Sequence, residues 1–201
     1  MTNSDLQPAQ PSRRPLVAGL AVVAVVVLLA ALLIPRLGGS DTAASDEYND
    51  FDVHFLGMMV PHHEQAIEMS DVLLASDVDD EHVRDLAQRI KDGQERENDQ
   101  MRAWADEWGI DEDMERHSKH IANGMFHPEQ LDQFRALKGD QLRTTFLEWM
   151  HFHHAHVIDM TQGEVDGGAY EPLKDMAREM IDVQTAEMAE MEGILGYEPS
   201  M

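Results

Sequence analysis

The 201-residue chain carries 39 acidic against 15 basic residues, a formal net charge of −24, with 11 histidines, 14 methionines and no cysteine. That balance argues against a nucleic-acid binder, which needs clustered Lys and Arg for phosphates. The lack of Cys excludes disulfides, cysteine-ligated metal centres, a thiol nucleophile and a lipid anchor on an N-terminal cysteine.

In chain order, residues 1–15 form a short tail, and residues 16–34 (LVAGLAVVAVVVLLAALLI) run without a charge. Roughly 20 apolar residues span a bilayer core, and Arg13 and Arg14 before the run place the tail in the cytoplasm by the positive-inside rule. The expectation is a single-pass anchor with the rest of the chain outside the cytoplasm. The alternative is a cleaved signal, hence a secreted protein. The run is longer than a usual signal core, and residues 12–17 match a twin-arginine signal only loosely. Residues 35–46 are small and polar and read as a linker, leaving residues 47–201 as the extracytoplasmic domain. Residues 37–201 hold 12 basic and 38 acidic residues, a formal −26, which repels anionic lipid heads and attracts cations.

From about Glu47 the apolar spacing is helical. Phe51, Phe55, Met59, His62, Ala66, Met69 and Leu73 recur every three or four residues, as one buried helix face does. The polar break at residues 77–80 can cap a second helix carrying Val83, Leu86, Ile90, Gln94, Glu97, Met101, Trp104 and Trp108, ending at Gly109. Shorter helical pieces follow, punctuated by Gly124 and His127-Pro128. A third long helix is expected from about Asp140, after a stop at Gly139, to near Glu164. Gly167-Gly168 turns the chain, and Pro172 opens a fourth helix to about Leu195. Almost nothing reads as a strand. The fold class is all-α, most simply a four-helix bundle.

The chain also repeats itself. MMVPHHEQAIEM at residues 58–69 lies over WMHFHHAHVIDM at 149–160, with an offset of 91, and Gln94, Glu97 and Met101 lie over Gln184, Glu187 and Met191 with an offset of 90. Each half is a helical hairpin, with Met-x2-His-His-x5-Met on its first helix and Gln-x2-Glu-x3-Met on its second.

These segments, with GMFHPEQLDQFRALKGDQL between them, resemble the domain of unknown function 305 (DUF305) family across roughly residues 47–197. The resemblance implies a ferritin-like helical bundle in a secreted or membrane-anchored bacterial protein. In some members it implies extracytoplasmic copper binding, and it implies no established reaction. The second motif departs from the first at His151, Phe152 and Ala155, so the two half-sites need not be equivalent.

Residues four apart stack on one helix face, so Met58 neighbours His62, Met59 neighbours His63 and Met150 neighbours His154. Face-to-face hairpins would gather His62, His63, His153 and His154 inside the bundle, with Met59, Met69, Met150 and Met160 nearby. Imidazole plus thioether without thiolate suits Cu(I). His151, His156 and Met58 are candidate extra ligands. Gln94, Glu97, Gln184 and Glu187 are candidates to bond the outer nitrogens of the ligating rings. Met101, Met176, Met180 and Met191 read as core filling, and His54, His82, His117, His120 and His127 as structural, hydrogen-bonded or solvent-facing residues.

The expected function is copper sequestration or handover, without turnover, to a protein partner. One alternative is a metal-free hydrogen-bond network of the same His, Glu and Gln residues in a structural or partner-binding module. Another is a di-iron oxidase. That needs two Glu-x-x-His motifs, and the chain has only Glu148-x-x-His151, with Gly57 in the corresponding place of the first half.

Overall fold

The structure, a computed structural model, describes residues 47–110 and 124–200. The anchor or signal at residues 16–34, the linker, His117 and His120 lie outside the described residues. Among the described residues the protein is all-helical, and none of these helices is long and apolar enough to cross a membrane. Four long helices, α1 (Asp50–Leu74), α2 (Glu81–Trp108), α4 (Gly139–Gly167) and α5 (Glu171–Leu195), are joined by the short α3 (Pro128–Ala136).

Local chemistry sets the ends. Asn49 caps α1, its Oδ1 accepting from the N–H groups of Phe51 and Asp52, while the Asp52 carboxylate accepts from the Asn49 N–H at 2.7 Å, a reciprocal capping box. Asp80 caps α2 through the His82 and Val83 N–H groups. Gly109 and Gly196 end α2 and α5 in the left-handed conformation, at φ 67° and 78°, where a β-carbon would be strained. Pro172 lies in the first turn of α5, as expected. Gly139 opens α4 instead of ending the piece before it, which stops at Ala136.

α1 pairs with α2 and α4 with α5, and the two hairpins meet chiefly through α1 and α4. The apolar core falls into two clusters. One gathers Ala66, Met69 and Leu73 of α1, Val83, Leu86 and Ile90 of α2, Leu142, Phe146 and Met150 of α4, and Met191 of α5. The other gathers Phe55, Leu56 and Met59 of α1, Met101 and Trp104 of α2, Val157 of α4, and Leu173, Ala177 and Met180 of α5. On every long helix the buried residues between the clusters are polar.

Two expected core positions are corrected. Phe51 is exposed, because at the first turn of α1 its ring only lies over Gly167. Met160 is half-buried at the edge of the second cluster, while its counterpart Met69 is fully buried in the first. Met176 is likewise half-buried against the second cluster; Met101, Met180 and Met191 are fully buried.

Candidate metal centre

The gap between the clusters holds His62 and His63 of α1, Gln94, Glu97 and Asn98 of α2, His153 and His154 of α4, and Gln184 and Glu187 of α5. All except Glu97 are buried, and the four histidines are completely so. The layer arises because each helix interrupts its apolar stripe at the same height.

At its centre the rings of His62 and His153 lie with centroids 3.6 Å apart and planes 43° to each other. Desolvation by burial, with the other histidines adding to it, holds His153 well below the usual imidazole range, so its ring is neutral. Neither His153 nitrogen has a hydrogen-bond partner among the described residues.

On either side, His63 Nε2 donates to Glu97 Oε2 at 2.7 Å and His154 Nε2 donates to Glu187 Oε2 at 2.8 Å. A carboxylate oxygen accepts, so each bond puts a proton on Nε2, and in the neutral tautomer the lone pair is then on Nδ1. Neither of those Nδ1 atoms has a hydrogen-bond partner among the described residues. Gln94 Oε1, Asn98 Oδ1 and both amide atoms of Gln184 are buried in the same condition. The expectation that Glu97 and Glu187 bond the histidine rings therefore matches the geometry, whereas Gln94 and Gln184 make no such bond. Asn98, which the sequence did not single out, joins the layer by donating from Nδ2 to the Val60 carbonyl at 3.2 Å.

Met59 and Met150 are fully buried one turn before their histidine pairs, on opposite sides of the layer: Met59 with Met101 and Met160, Met150 with Met191 and Met69. Met58 is half-buried. His151 is buried and bonds Glu192 at 2.9 Å, and His156 Nδ1 donates to the Phe152 carbonyl. His54, His82 and His127 are exposed. Among the described residues no three His, Asp or Glu side chains are grouped so as to hold a metal ion. The layer is a tilted His62–His153 ring pair flanked by two His–Glu pairs, and its donors do not form a closed cage. The donor set present is imidazole nitrogen with thioethers close by, which fits a soft ion.

A second buried polar group lies at the end of the bundle. Asp52 also accepts from the N–H groups of Ala169 and Tyr170, at 3.0 Å each, and Asn49 Nδ2 donates to the Gly167 carbonyl, fastening the start of α1 to the α4–α5 turn. Beside it Glu164 is 2% exposed, and burial together with the Asp52 carboxylate pushes its carboxyl up to about 8. Only the capping half of this junction is legible in sequence, since Asp52 and Glu164 are far apart in the chain.

A bundle of two matching hairpins around an internal histidine layer is the class of protein this geometry defines. The chain belongs to the DUF305 family, described as a domain of unknown function, whose sequence profile matches residues 52–195. It is similar to a Streptomyces coelicolor protein of that family assigned as secreted, at 28% identity and TM-score 0.68 over 75% of this chain and 96% of that one. A DUF305 fragment from Deinococcus radiodurans is similar at 27% identity and TM-score 0.65, over 74% and 97% of the two chains. CopM in its Cu(I)-bound form is similar at 25% identity and TM-score 0.57, over 71% and 93%. A comparison with curated proteins gives no significant match.

Proposed function

We propose that this protein binds copper, as Cu(I), outside the cytoplasm and holds or hands it on without chemical turnover. The observation that carries the reading is the pair of buried Nδ1 atoms of His63 and His154 without a hydrogen-bond partner, each opposite a carboxylate held on Nε2, beside the two equally unbonded nitrogens of His153. An unsatisfied buried polar atom costs about 1–3 kcal/mol, so a ligand-accepting ion in the layer relieves a cost that packing leaves standing. Similarity to CopM in a Cu(I)-bound form supports the choice of metal.

In this reading His62, His63, His153 and His154 supply the nitrogens, and Met59 and Met150 supply thioethers that a partner protein could displace during transfer. Residues 16–34 tether the domain to the membrane, and likeness to a protein assigned as secreted supports an extracytoplasmic position. The oxidase reading finds less support: Glu148 accepts from Tyr197 Oη at 2.6 Å at the surface, so it does not share a buried centre with His151.

The test is a Cu(I) titration of residues 47–201 against a competing chelator, with Zn(II) and Fe(II) in parallel. Saturation at a small whole-number stoichiometry with preference for Cu(I) is expected. The His62→Ala, His153→Ala double variant should lose tight binding and keep its helicity. Unsaturable uptake of every metal, or unchanged affinity in the double variant, would reduce the layer to a structural hydrogen-bond network.

A further inference from the structure

Residues 124–127 lie as a strap across both central helices. On α1, Gln65 Nε2 donates to the Phe126 carbonyl at 3.0 Å, and Gln65 Oε1 accepts from the Phe126 N–H at 2.7 Å. On α4, the Gly124 backbone, at φ +88°, sits so close that a β-carbon there would stand 2.4 Å from His156 Cβ and 3.5 Å from the His153 carbonyl oxygen. Between these two anchorages the Phe126 ring stacks on Trp149, centroids 4.1 Å apart.

Gln65 and His156 are equivalent positions in the two repeats, each three residues past one member of the ring pair His62–His153. Residues at that spacing are neighbours on a helix face. The strap therefore touches each central helix at the place next to a ring of that pair, and it belongs to neither hairpin. Its attachment is one amide clamp and one buried ring, Phe126, set against Trp149 and Phe152 at the edge of the first cluster, far less than the burial that fixes the four long helices. Segments held in this way open at a much lower free energy than the whole fold.

We propose that the strap is the gate to the histidine layer, with Gln65 as its fastening: release of Phe126 uncovers His62 and His153 while the four long helices stay packed. The gate is defined by access to the rings; only its effect on copper rests on the function proposed above.

The test uses Gln65→Ala in the full-length chain, with amide exchange at Phe126, diethylpyrocarbonate labelling of His62 and His153 in metal-free protein, and the rate of Cu(I) loss from loaded protein to excess chelator. Losing both clamp bonds should raise Phe126 exchange, His153 labelling and Cu(I) release by about tenfold or more, with equilibrium affinity changed by less than about threefold. Gly124→Ala, which forces the strap off His156, should do the same by a different route and serves if the first variant fails to fold. Faster Phe126 exchange with unchanged His153 labelling overturns the gate. So does labelling that rises only in step with amide exchange at the core residues Leu86 and Met101. Faster labelling in a protein whose parent takes up no Cu(I) sustains the gate and overturns the copper reading.

Discussion

Glu187 holds His154 through Nε2 at 2.8 Å, and ninety residues earlier in the chain Glu97 holds His63 through the same nitrogen at 2.7 Å. The two bonds differ in setting: the Glu187 side chain is 9% exposed and that of Glu97 21%. A hydrogen bond gains strength as water is excluded, and the drier setting is that of the second repeat.

That difference should appear on neutralisation. Glu187→Gln is expected to weaken Cu(I) binding by about 10–100-fold, the usual effect of losing an outer hydrogen bond to a ligand ring, and Glu97→Gln by less. Chelator competition on both variants checks the order; equal losses would mean that burial does not distinguish the two half-sites.

The thioethers separate from packing by a swap of similar volume. Met59→Leu and Met150→Leu should each cost less than about 1.5 kcal/mol in urea unfolding, since they keep core volume, while Cu(I) affinity falls at least about tenfold, or ~1.4 kcal/mol. Met176→Leu, at the margin of the second cluster, should change neither. Affinity that tracks stability across the three variants would place the metal elsewhere.

Glu164 gives a pH signature. Its carboxyl is raised from 4.5 to about 8 in the folded protein, so between those values the folded state binds the extra proton. Stability is therefore full below pH 4.5 for this group and is lost as pH rises toward 8, with a slope of up to about 1.4 kcal/mol per pH unit, and levels off above. Urea midpoints taken from pH 5 to 9 should fall in the native chain and stay flatter in Glu164→Gln, with the variant the more stable at pH 9. Parallel profiles would show that Glu164 ionises normally.

At the same junction Gly168 has no room for a side chain: a β-carbon would meet Glu164 Oε1 at 2.1 Å and the Glu164 carbonyl oxygen at 2.8 Å. Gly168→Ala should cost about 1–3 kcal/mol, as overpacking does, and lower the melting temperature. Its backbone, at φ −65°, suits any residue, so an unchanged melting temperature could come only from an easy shift of the turn.

Spacing at three and four residues marked the long helices, and their caps followed from Asp80, Gly109 and Pro172, because these are local properties of the chain. The repeat likewise exposed the histidine pairs and the two glutamates that bond them. What periodicity could not convey is which ends of the helices meet. The matched methionines Met69 and Met160 therefore looked like one feature, yet they sit in different clusters on opposite sides of the layer. Nor could it reveal the clamp of Gln65 on Phe126 or the company of Asp52 and Glu164, since each joins residues with no local pattern in common.

The polar layer has a further consequence when set beside the charge outside it. Carboxylates spread over the exposed faces draw in any cation, hydrated and without discrimination, and their pull weakens as salt rises. The layer lies between two apolar clusters and offers nitrogen and sulfur, so an ion that reaches it must first shed its water, which hard ions such as Mg²⁺ do reluctantly. If the layer takes copper as proposed, collection and selection fall in different places on one small protein, and raising ionic strength should slow the first without altering the second.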